Sequence, residues 1–87
     1  MASILLAEDD KAVREFVSRA LRQDGHDVTA VCDGQQALNV LETGKFDMML
    51  ADIVMPQVDG IALALKASKD YPELPVLLMT GYSAERQ

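Results

Sequence analysis

Short apolar runs alternate with longer amphipathic stretches along this chain. The runs at residues 3–7, 27–31, 47–51 and 76–79 have no helical period, and each predicts a β-strand. The first of them, SILLA, is apolar at almost every position and predicts a strand buried on both faces of its sheet. The pattern therefore predicts four strands separated by segments long enough to hold a helix.

Three helices are predicted between these strands. In the first, apolar residues recur at the i, i+3, i+4, i+7, i+8 spacing, which predicts that this stripe faces inward and that the intervening polar residues, Ser18 among them, face outward. Gly25 ends this helix. The inward stripe consists of Val13, Phe16, Val17, Ala20 and Leu21.

Turn and capping residues set the limits of the next two helices. Asp33-Gly34 begins the second helix, which continues to Gly44. Asp59-Gly60 begins the third, which ends near Lys69. Residues 83–87 have the character of the first turn of a fourth helix.

Alternation of strands and helices predicts βαβ units with right-handed crossovers and a parallel sheet covered on both faces. The expected fold is α/β, a flavodoxin-like doubly wound sheet, formed by one domain over residues 1–87. In such sheets the functional crevice lies beyond the carboxyl ends of the strands. Residues that directly follow a strand are therefore the first candidates for chemistry.

Charge and composition narrow the function classes. Eight Lys and Arg residues against fourteen Asp and Glu residues give a net charge of -6, which opposes nonspecific attraction to nucleic acid or to anionic membranes. No apolar run reaches the roughly 18 residues of a membrane span, and the N-terminus lacks the pattern of a signal peptide. These features predict a cytoplasmic protein, and the single Cys32 agrees with that compartment.

Acidic side chains follow two of the predicted strands. Glu8, Asp9 and Asp10 come directly after the first strand, and Asp52 comes directly after the third. The carboxyl ends of neighbouring parallel strands meet at one edge of a sheet, so we expect these carboxylates to converge. Crowded carboxylates are stable when a hard divalent cation neutralises them or when one acid keeps its proton. The pattern predicts a magnesium site with a reactive aspartate.

Three segments, ILLAEDD, LADIVMPQVDG and LLMTGY, closely resemble the receiver domain of bacterial two-component response regulators. The resemblance spans the whole chain, and the motifs stand in order on the predicted strand ends. It implies that Asp52 accepts a phosphoryl group from a phosphohistidine donor, either a histidine kinase or a histidine phosphotransferase. A receiver catalyses only its own phosphorylation and dephosphorylation, so the resemblance implies that the chain is not a multiple-turnover enzyme.

The resemblance also implies the rest of the site. Thr80, after the fourth strand, would hydrogen-bond a phosphoryl oxygen and move toward it as the switch step. Asp10 falls outside the acidic pair and is expected to cap the first helix. The implied ligands of a single Mg²⁺ ion are Glu8, Asp9, Asp52 and the backbone carbonyl of Val54.

A narrower resemblance, carried by RALRQDGHDVTA, DGIALAL and LPVLLMTGYS, is to a stand-alone receiver that controls regulated proteolysis. It implies a Clp-type protease or its adaptors as partners and a role in the cell cycle. With no second domain, the phosphorylation state would be read by partner proteins on the surface. The phosphodonor and the sign of the switch stay open.

Receivers carry a fifth strand with a Lys that pairs with the phosphoryl group, and a last helix beside the first. Neither has a counterpart in these 87 residues, so no Lys is assigned this role. Apolar surface is then expected to be uncovered on one face of the sheet, with the fourth strand as an open edge. Either the chain is part of a longer receiver, or another copy supplies the cover by dimerisation or domain swapping.

Two other functions fit the acidic pattern less well. A magnesium-dependent aspartyl phosphohydrolase would carry D-x-D-x-T after its first strand, where this chain reads Glu8-Asp9-Asp10-Lys11. A binding module that no longer takes phosphate is the other alternative, and the missing Lys favours it. His26 and Cys32 are expected mid-strand or on the far side of the sheet from the acids, and the methionines of the apolar runs are expected to fill the core.

Overall fold

The structure, a computed structural model, describes residues 1–55 and 58–79. The predicted strands and helices are confirmed, except that the third strand begins and ends one residue later than expected and includes Asp52 as its last residue. The predicted turn at 83–87 and Thr80 lie outside the described residues. In chain order the elements are β1 (Ser3–Ala7), α1 (Lys11–Gln23), β2 (Asp27–Val31), α2 (Gly34–Thr43), β3 (Met48–Asp52), α3 (Gly60–Asp70) and β4 (Val76–Met79).

The four strands form one parallel sheet in the order β2-β1-β3-β4. Ala7 at the end of β1 pairs with Val31 on one side and with Ala51 on the other, so the strand ends are level with one another. Residues that follow β1, β2 and β3 therefore meet at a single edge. This arrangement confirms the doubly wound α/β fold.

Each described helix begins at an aspartate. The side-chain Oδ1 atoms of Asp10, Asp33 and Asp59 accept hydrogen bonds from backbone N–H groups three residues later, at 3.1, 2.8 and 2.8 Å. A carboxylate in this position satisfies a donor that the first helical turn leaves unpaired and complements the helix dipole. The predicted capping roles of these residues are confirmed.

The face of the sheet under α2 and α3 holds the larger core. Its methionines include Met49, fully buried on β3, and Met55, buried in the loop after it, as the apolar runs predict. Gly34 allows α2 to begin against the backbone carbonyl of Val58, because a Cβ atom at this position would overlap that oxygen. The buried residues of this core are Leu5, Ala7, Val31, Ala37, Leu41, Met49, Ala51, Met55, Leu63 and Ala67.

The α1 face differs from the prediction. Val17 and Leu21 pack on the sheet, but Phe16 is 74% exposed, and the side chain buried under the helix is Ser18, at 5% exposure. The inward roles of Val13, Phe16 and Ala20 and the outward role of Ser18 were therefore predicted wrongly, since Val13 and Ala20 are exposed as well. The helix lies over β2 and β1, so only part of its wide apolar stripe meets the sheet.

The side of the sheet next to α1 also leaves part of β4 uncovered. Leu77 pairs with Leu50 in the register of β3 and β4, yet Leu77 is 56% exposed. This exposure agrees with the expectation of uncovered apolar surface on this face. No helix among the described residues is long and apolar enough to cross a bilayer.

Candidate acidic site

Three carboxylates meet at the carboxyl edge of the sheet. Glu8 follows β1 and is 2% exposed, Asp52 ends β3 and is 8% exposed, and Asp9 is open to solvent. One oxygen from each lies within 4.8 Å of the others. The predicted convergence of these residues is confirmed, and it brings the oxygens of three acids close enough together to bind one cation.

The loop after β1 is held by its own hydrogen bonds. The Glu8 N–H donates to the Val31 carbonyl of β2 at 3.1 Å, which extends the strand pairing by one residue. Glu8 Oε2 accepts from the Asp10 N–H at 3.0 Å, and the Glu8 carbonyl accepts from Arg14 Nη1 at 2.8 Å. Glu8 is thus fixed through its backbone and its side chain together.

The loop after β3 is held by contacts with α3. The Gly60 N–H donates to the Ile53 carbonyl at 2.9 Å, and a Cβ atom on Gly60 would overlap the backbone carbonyl of Asp52. Only glycine allows this close approach of the helix to the strand end. The Asp59-Gly60 pair therefore caps α3 and lets it press against the backbone that carries Asp52.

The Asp52 carboxylate is oriented by the residues that follow it. Its Oδ1 accepts from the Val54 N–H at 3.3 Å, and the next residue of the chain, Ile53, donates its N–H to the Met79 carbonyl of β4 at 3.0 Å. The Val54 side chain is 59% exposed, so this residue contributes to the site through its backbone. The magnesium role of its carbonyl stays a prediction.

Crowding changes the protonation of one acid. The pKa of Glu8 is raised to about 7, chiefly by burial and also by hydrogen bonding to Asp52 and Asp9 and by the negative charge of Asp52, against the lowering effect of the Asp10 N–H. At neutral pH the metal-free cluster therefore holds a proton part of the time. A retained proton is one of the two ways, with a bound divalent cation, in which the sequence predicts that crowded carboxylates are stabilised.

The donor set fits a hard divalent cation. Mg²⁺ prefers carboxylate, carbonyl and water oxygens, and it usually keeps several waters while binding one or two protein carboxylates directly. Exposed Asp9 and the inner Glu8 and Asp52 offer oxygens only, with no sulfur or imidazole atom in the cluster. The residues present fit magnesium better than zinc or copper.

Sequence reasoning missed one residue at the edge of this site and misplaced another. Arg14 anchors the loop after β1, although nothing in the pattern distinguishes it from the other polar residues of α1. Cys32 directly follows β2 and so lies at the same edge as the acids, which makes its predicted far-side or mid-strand position wrong. It is outside the carboxylate cluster, and its N–H donates to Gln36 Oε1 at 3.1 Å. His26 is at the opposite edge, as predicted, where its Nδ1 accepts from the Ala2 N–H at 3.0 Å.

Known proteins share this sequence pattern over most of its length. The chain is 43% identical over 84 residues to the response regulator receiver protein CpdR of Brucella abortus, covering 97% of this chain and 70% of CpdR. It is 45% identical over 83 residues to the response regulator protein FleR of Pseudomonas aeruginosa, of which it covers 18%. The family profile of the response regulator receiver domain matches residues 4–87.

Solved structures agree with the sequence comparison. TrrA from Thermotoga maritima, a response regulator crystallised with magnesium and beryllofluoride, superposes with a TM-score of 0.91 at 29% identity, covering 99% of this chain and 75% of TrrA. TrrA in complex with the histidine kinase ThkA gives a TM-score of 0.89 at the same identity. Receiver domains are signalling modules that accept a phosphoryl group from a histidine kinase, and this chain belongs to the response regulator receiver domain family.

Proposed function

We propose that Asp52 is the residue that accepts the phosphoryl group. It is the one carboxylate of the cluster that ends a central strand, and α3 presses on its backbone through Gly60. The observation that carries the proposal is the meeting of its oxygen with those of Glu8 and Asp9 within 4.8 Å. Acids crowded in this way repel one another and do not stabilise packing, whereas phosphoryl transfer requires a carboxylate nucleophile beside a cation site.

In the reaction an Asp52 oxygen attacks the phosphorus of a phosphohistidine. An O–P bond forms to the aspartate while the N–P bond breaks, and the electron pair leaves with the imidazole nitrogen of the donor. The Val54 N–H keeps the Asp52 carboxylate in one orientation by donating a hydrogen bond to its Oδ1. Phosphoryl transfer depends mainly on such positioning and on charge neutralisation.

Glu8, Asp9, Asp52 and the Val54 carbonyl would hold the magnesium ion in this proposal. When bound, the ion supplies neutralisation of the charge on the carboxylates and the phosphoryl oxygens. Asp9, the exposed member, would bind the ion directly, whereas buried Glu8 would act through water. The crystal structure of TrrA with magnesium and beryllofluoride supports the presence of a magnesium site in this chain.

Beryllofluoride with magnesium tests the site directly, because beryllofluoride mimics a phosphoryl group on an aspartate. We expect a mass increase of one beryllofluoride per chain and amide chemical-shift changes around residues 8–10 and 52–55, both dependent on Mg²⁺. Asp52→Asn should abolish both responses. Asp10→Asn is the matched control, since it removes a neighbouring charge but keeps a good helix cap, and it should respond like the parent chain.

Several results would contradict this proposal. Labelling from a phosphorylated histidine kinase that persists in Asp52→Asn would place the acceptor elsewhere. A lack of any response in a longer receiver containing this sequence would leave a binding module that does not take phosphate. Multiple turnover of phosphate monoesters would favour a phosphohydrolase.

We further propose that phosphorylation switches protein contacts and controls regulated proteolysis, with a Clp-type protease or its adaptors as partner. The resemblance described from the sequence and the 43% identity to CpdR support this role. Thr80 is proposed as the switch hydroxyl. Capture of a purified Clp-type protease by the chain, with and without magnesium beryllofluoride, tests it, and equal capture in the two states would contradict a switch.

A further inference from the structure

A groove of about 540 Å³ lies between α1 and β2, and it shares Arg14 with the edge of the acidic site. Its walls come from one side of the helix and from the outer strand of the sheet. The residues that matter for its chemistry are Arg14, Glu15, Ser18, Arg19, Arg22 and Ala30. A space of this size accommodates a small ligand.

The groove concentrates positive charge in an acidic protein. Three guanidinium groups line it against the single carboxylate of Glu15, although the chain as a whole carries a net charge of -6. Like charges gathered along one groove repel one another, and an anion bound among them relieves that repulsion. The charge pattern therefore points to an anionic ligand.

Two of these guanidinium groups are anchored by backbone carbonyls. Arg14 Nη1 donates to the Glu8 carbonyl at 2.8 Å, and Arg22 Nη2 donates to the Val28 carbonyl at 3.0 Å. A guanidinium has five N–H donors, so each keeps further donors for a ligand. Anchoring reduces the entropy lost when a ligand is bound, which separates these side chains from ordinary surface arginines.

Ser18 gives an independent indication of a ligand. The residue is 5% exposed and lines the groove, and its hydroxyl has no hydrogen-bond partner among the described residues. A buried hydroxyl without a partner is unfavourable, because it has lost its hydrogen bonds to water. A ligand oxygen in the groove would satisfy it after a rotation of this small side chain.

We propose that this groove binds a small anion bearing phosphate groups. Guanidinium groups match the oxygens of phosphate in paired hydrogen bonds. Three guanidinium groups with one opposing carboxylate leave a net charge that suits a multiply charged phosphate better than a single carboxylate. The proposal concerns a second site, and it does not depend on the phosphoacceptor role of Asp52.

Pyrophosphate without Mg²⁺ is the probe, because the metal-free acidic site repels it. Titration of the ¹⁵N-labelled chain should give saturable amide shifts at Ser18, Arg22 and Ala30. Arg19→Gln should weaken binding about tenfold, the loss expected for one charged hydrogen-bonding group. Lys69→Gln, an equal loss of charge on α3 on the other face of the sheet, should change the affinity less than about twofold.

Ser18→Ala keeps the test decisive if an arginine variant folds poorly. It should weaken pyrophosphate binding severalfold without lowering the free energy of unfolding, because it removes a hydroxyl that has no partner in the free protein. Equal weakening by Arg19→Gln and Lys69→Gln would overturn the site in favour of nonspecific attraction. Equal binding of succinate would overturn the phosphate assignment, and binding of an Asp/Glu-rich peptide in place of pyrophosphate would indicate a protein partner.

Discussion

The loops after β1 and β3 contribute to the same cluster of acids but are fixed in different ways. The loop after β1 is short, and bonds within residues 8–14 hold it: the Asp10 N–H to Glu8, the Asp10 cap of α1 and the Arg14 contact with the Glu8 carbonyl. The loop after β3 depends on distant packing, through Gly60 against Asp52 and through Val58 against Gly34. One half of the site is built locally and the other by tertiary contacts.

This difference determines what substitutions reveal. Changes in the first loop should act through charge, on the protonation of Glu8 and on metal binding, because most of its bonds involve neighbours in sequence. Changes in the second loop should alter the stability of the whole domain, because α3 and the sheet meet there.

The largest effect is expected from the proton on Glu8. Its pKa is raised to about 7 in the folded protein from an ordinary value of 4.5, so between these values the folded state holds a proton that the unfolded state has lost. The free energy of unfolding of the metal-free protein should therefore fall as pH rises through this window. The loss due to Glu8 should reach roughly 3 kcal/mol and should stay constant above pH 7.

Urea unfolding of the parent chain and Glu8→Gln at several pH values isolates this contribution. The variant has no carboxyl to titrate, so its stability relative to the parent should rise between about pH 4.5 and pH 7 and then level off. Parallel pH curves for the two proteins would show that Glu8 titrates normally.

Asp9→Ala should have the next largest effect. Asp9 is exposed and contributes an oxygen to the cluster without supporting the core, so its loss should lower magnesium-dependent labelling of Asp52 about a hundredfold, near 2.7 kcal/mol, with little change in stability. Labelling rates at saturating donor and varied Mg²⁺ measure it. A loss equal to that of Asp10→Asn would mean that general charge, and not metal binding, is affected.

Gly60→Ala tests the second loop. The added Cβ meets the backbone carbonyl of Asp52, which has no room to move, so we expect a loss of about 2 kcal/mol in the free energy of unfolding. Gly44→Ala is the matched control, because its Cβ meets the Phe46 ring at 3.1 Å and the Val40 carbonyl at 3.3 Å, contacts that small shifts relieve. Equal costs for the two variants in urea unfolding would indicate that α3 is not held against the strand end.

The smallest effect belongs to the cap of α1. Asp10→Ala removes the acceptor for the Val13 N–H and should cost about 1 kcal/mol, whereas Asp10→Asn should cost little. Thermal unfolding of the two variants measures the difference. If Asp10→Ala also abolished labelling, Asp10 would belong to the metal site and the local division of roles in the first loop would be wrong.

The sequence predicted the elements that depend on local pattern. Strand positions follow from apolar runs, helix starts from the capping aspartates, and the meeting of Glu8 with Asp52 from the level ends of parallel strands. The wrong predictions concern relations between elements. Phe16 belongs to an apolar stripe wider than the part of α1 that touches the sheet, and periodicity alone does not say which part that is.

Tertiary contacts explain what the pattern omitted at the site. Asp59-Gly60 was recognised as a helix start, but the need for glycine arises from the Asp52 carbonyl, which only the folded chain brings near. Arg14 looked like a solvent-facing residue of α1, and its bond to Glu8 depends on how the helix turns back over β1. Neither of these contacts can be predicted from the spacing of apolar and polar residues along the chain.

The contact between Arg22 and Val28 has a consequence for solubility. β2 is an outer strand of the described sheet. The N–H of Asp27 and the carbonyl of Val31 point toward β1. Because the backbone groups of successive residues in a strand point to opposite sides, the Val28 carbonyl points away from the sheet. The guanidinium occupies that carbonyl and places a charge beside it. An outer strand with an occupied acceptor and a charged neighbour is a poor template for pairing with another chain, so α1 protects β2 from aggregation.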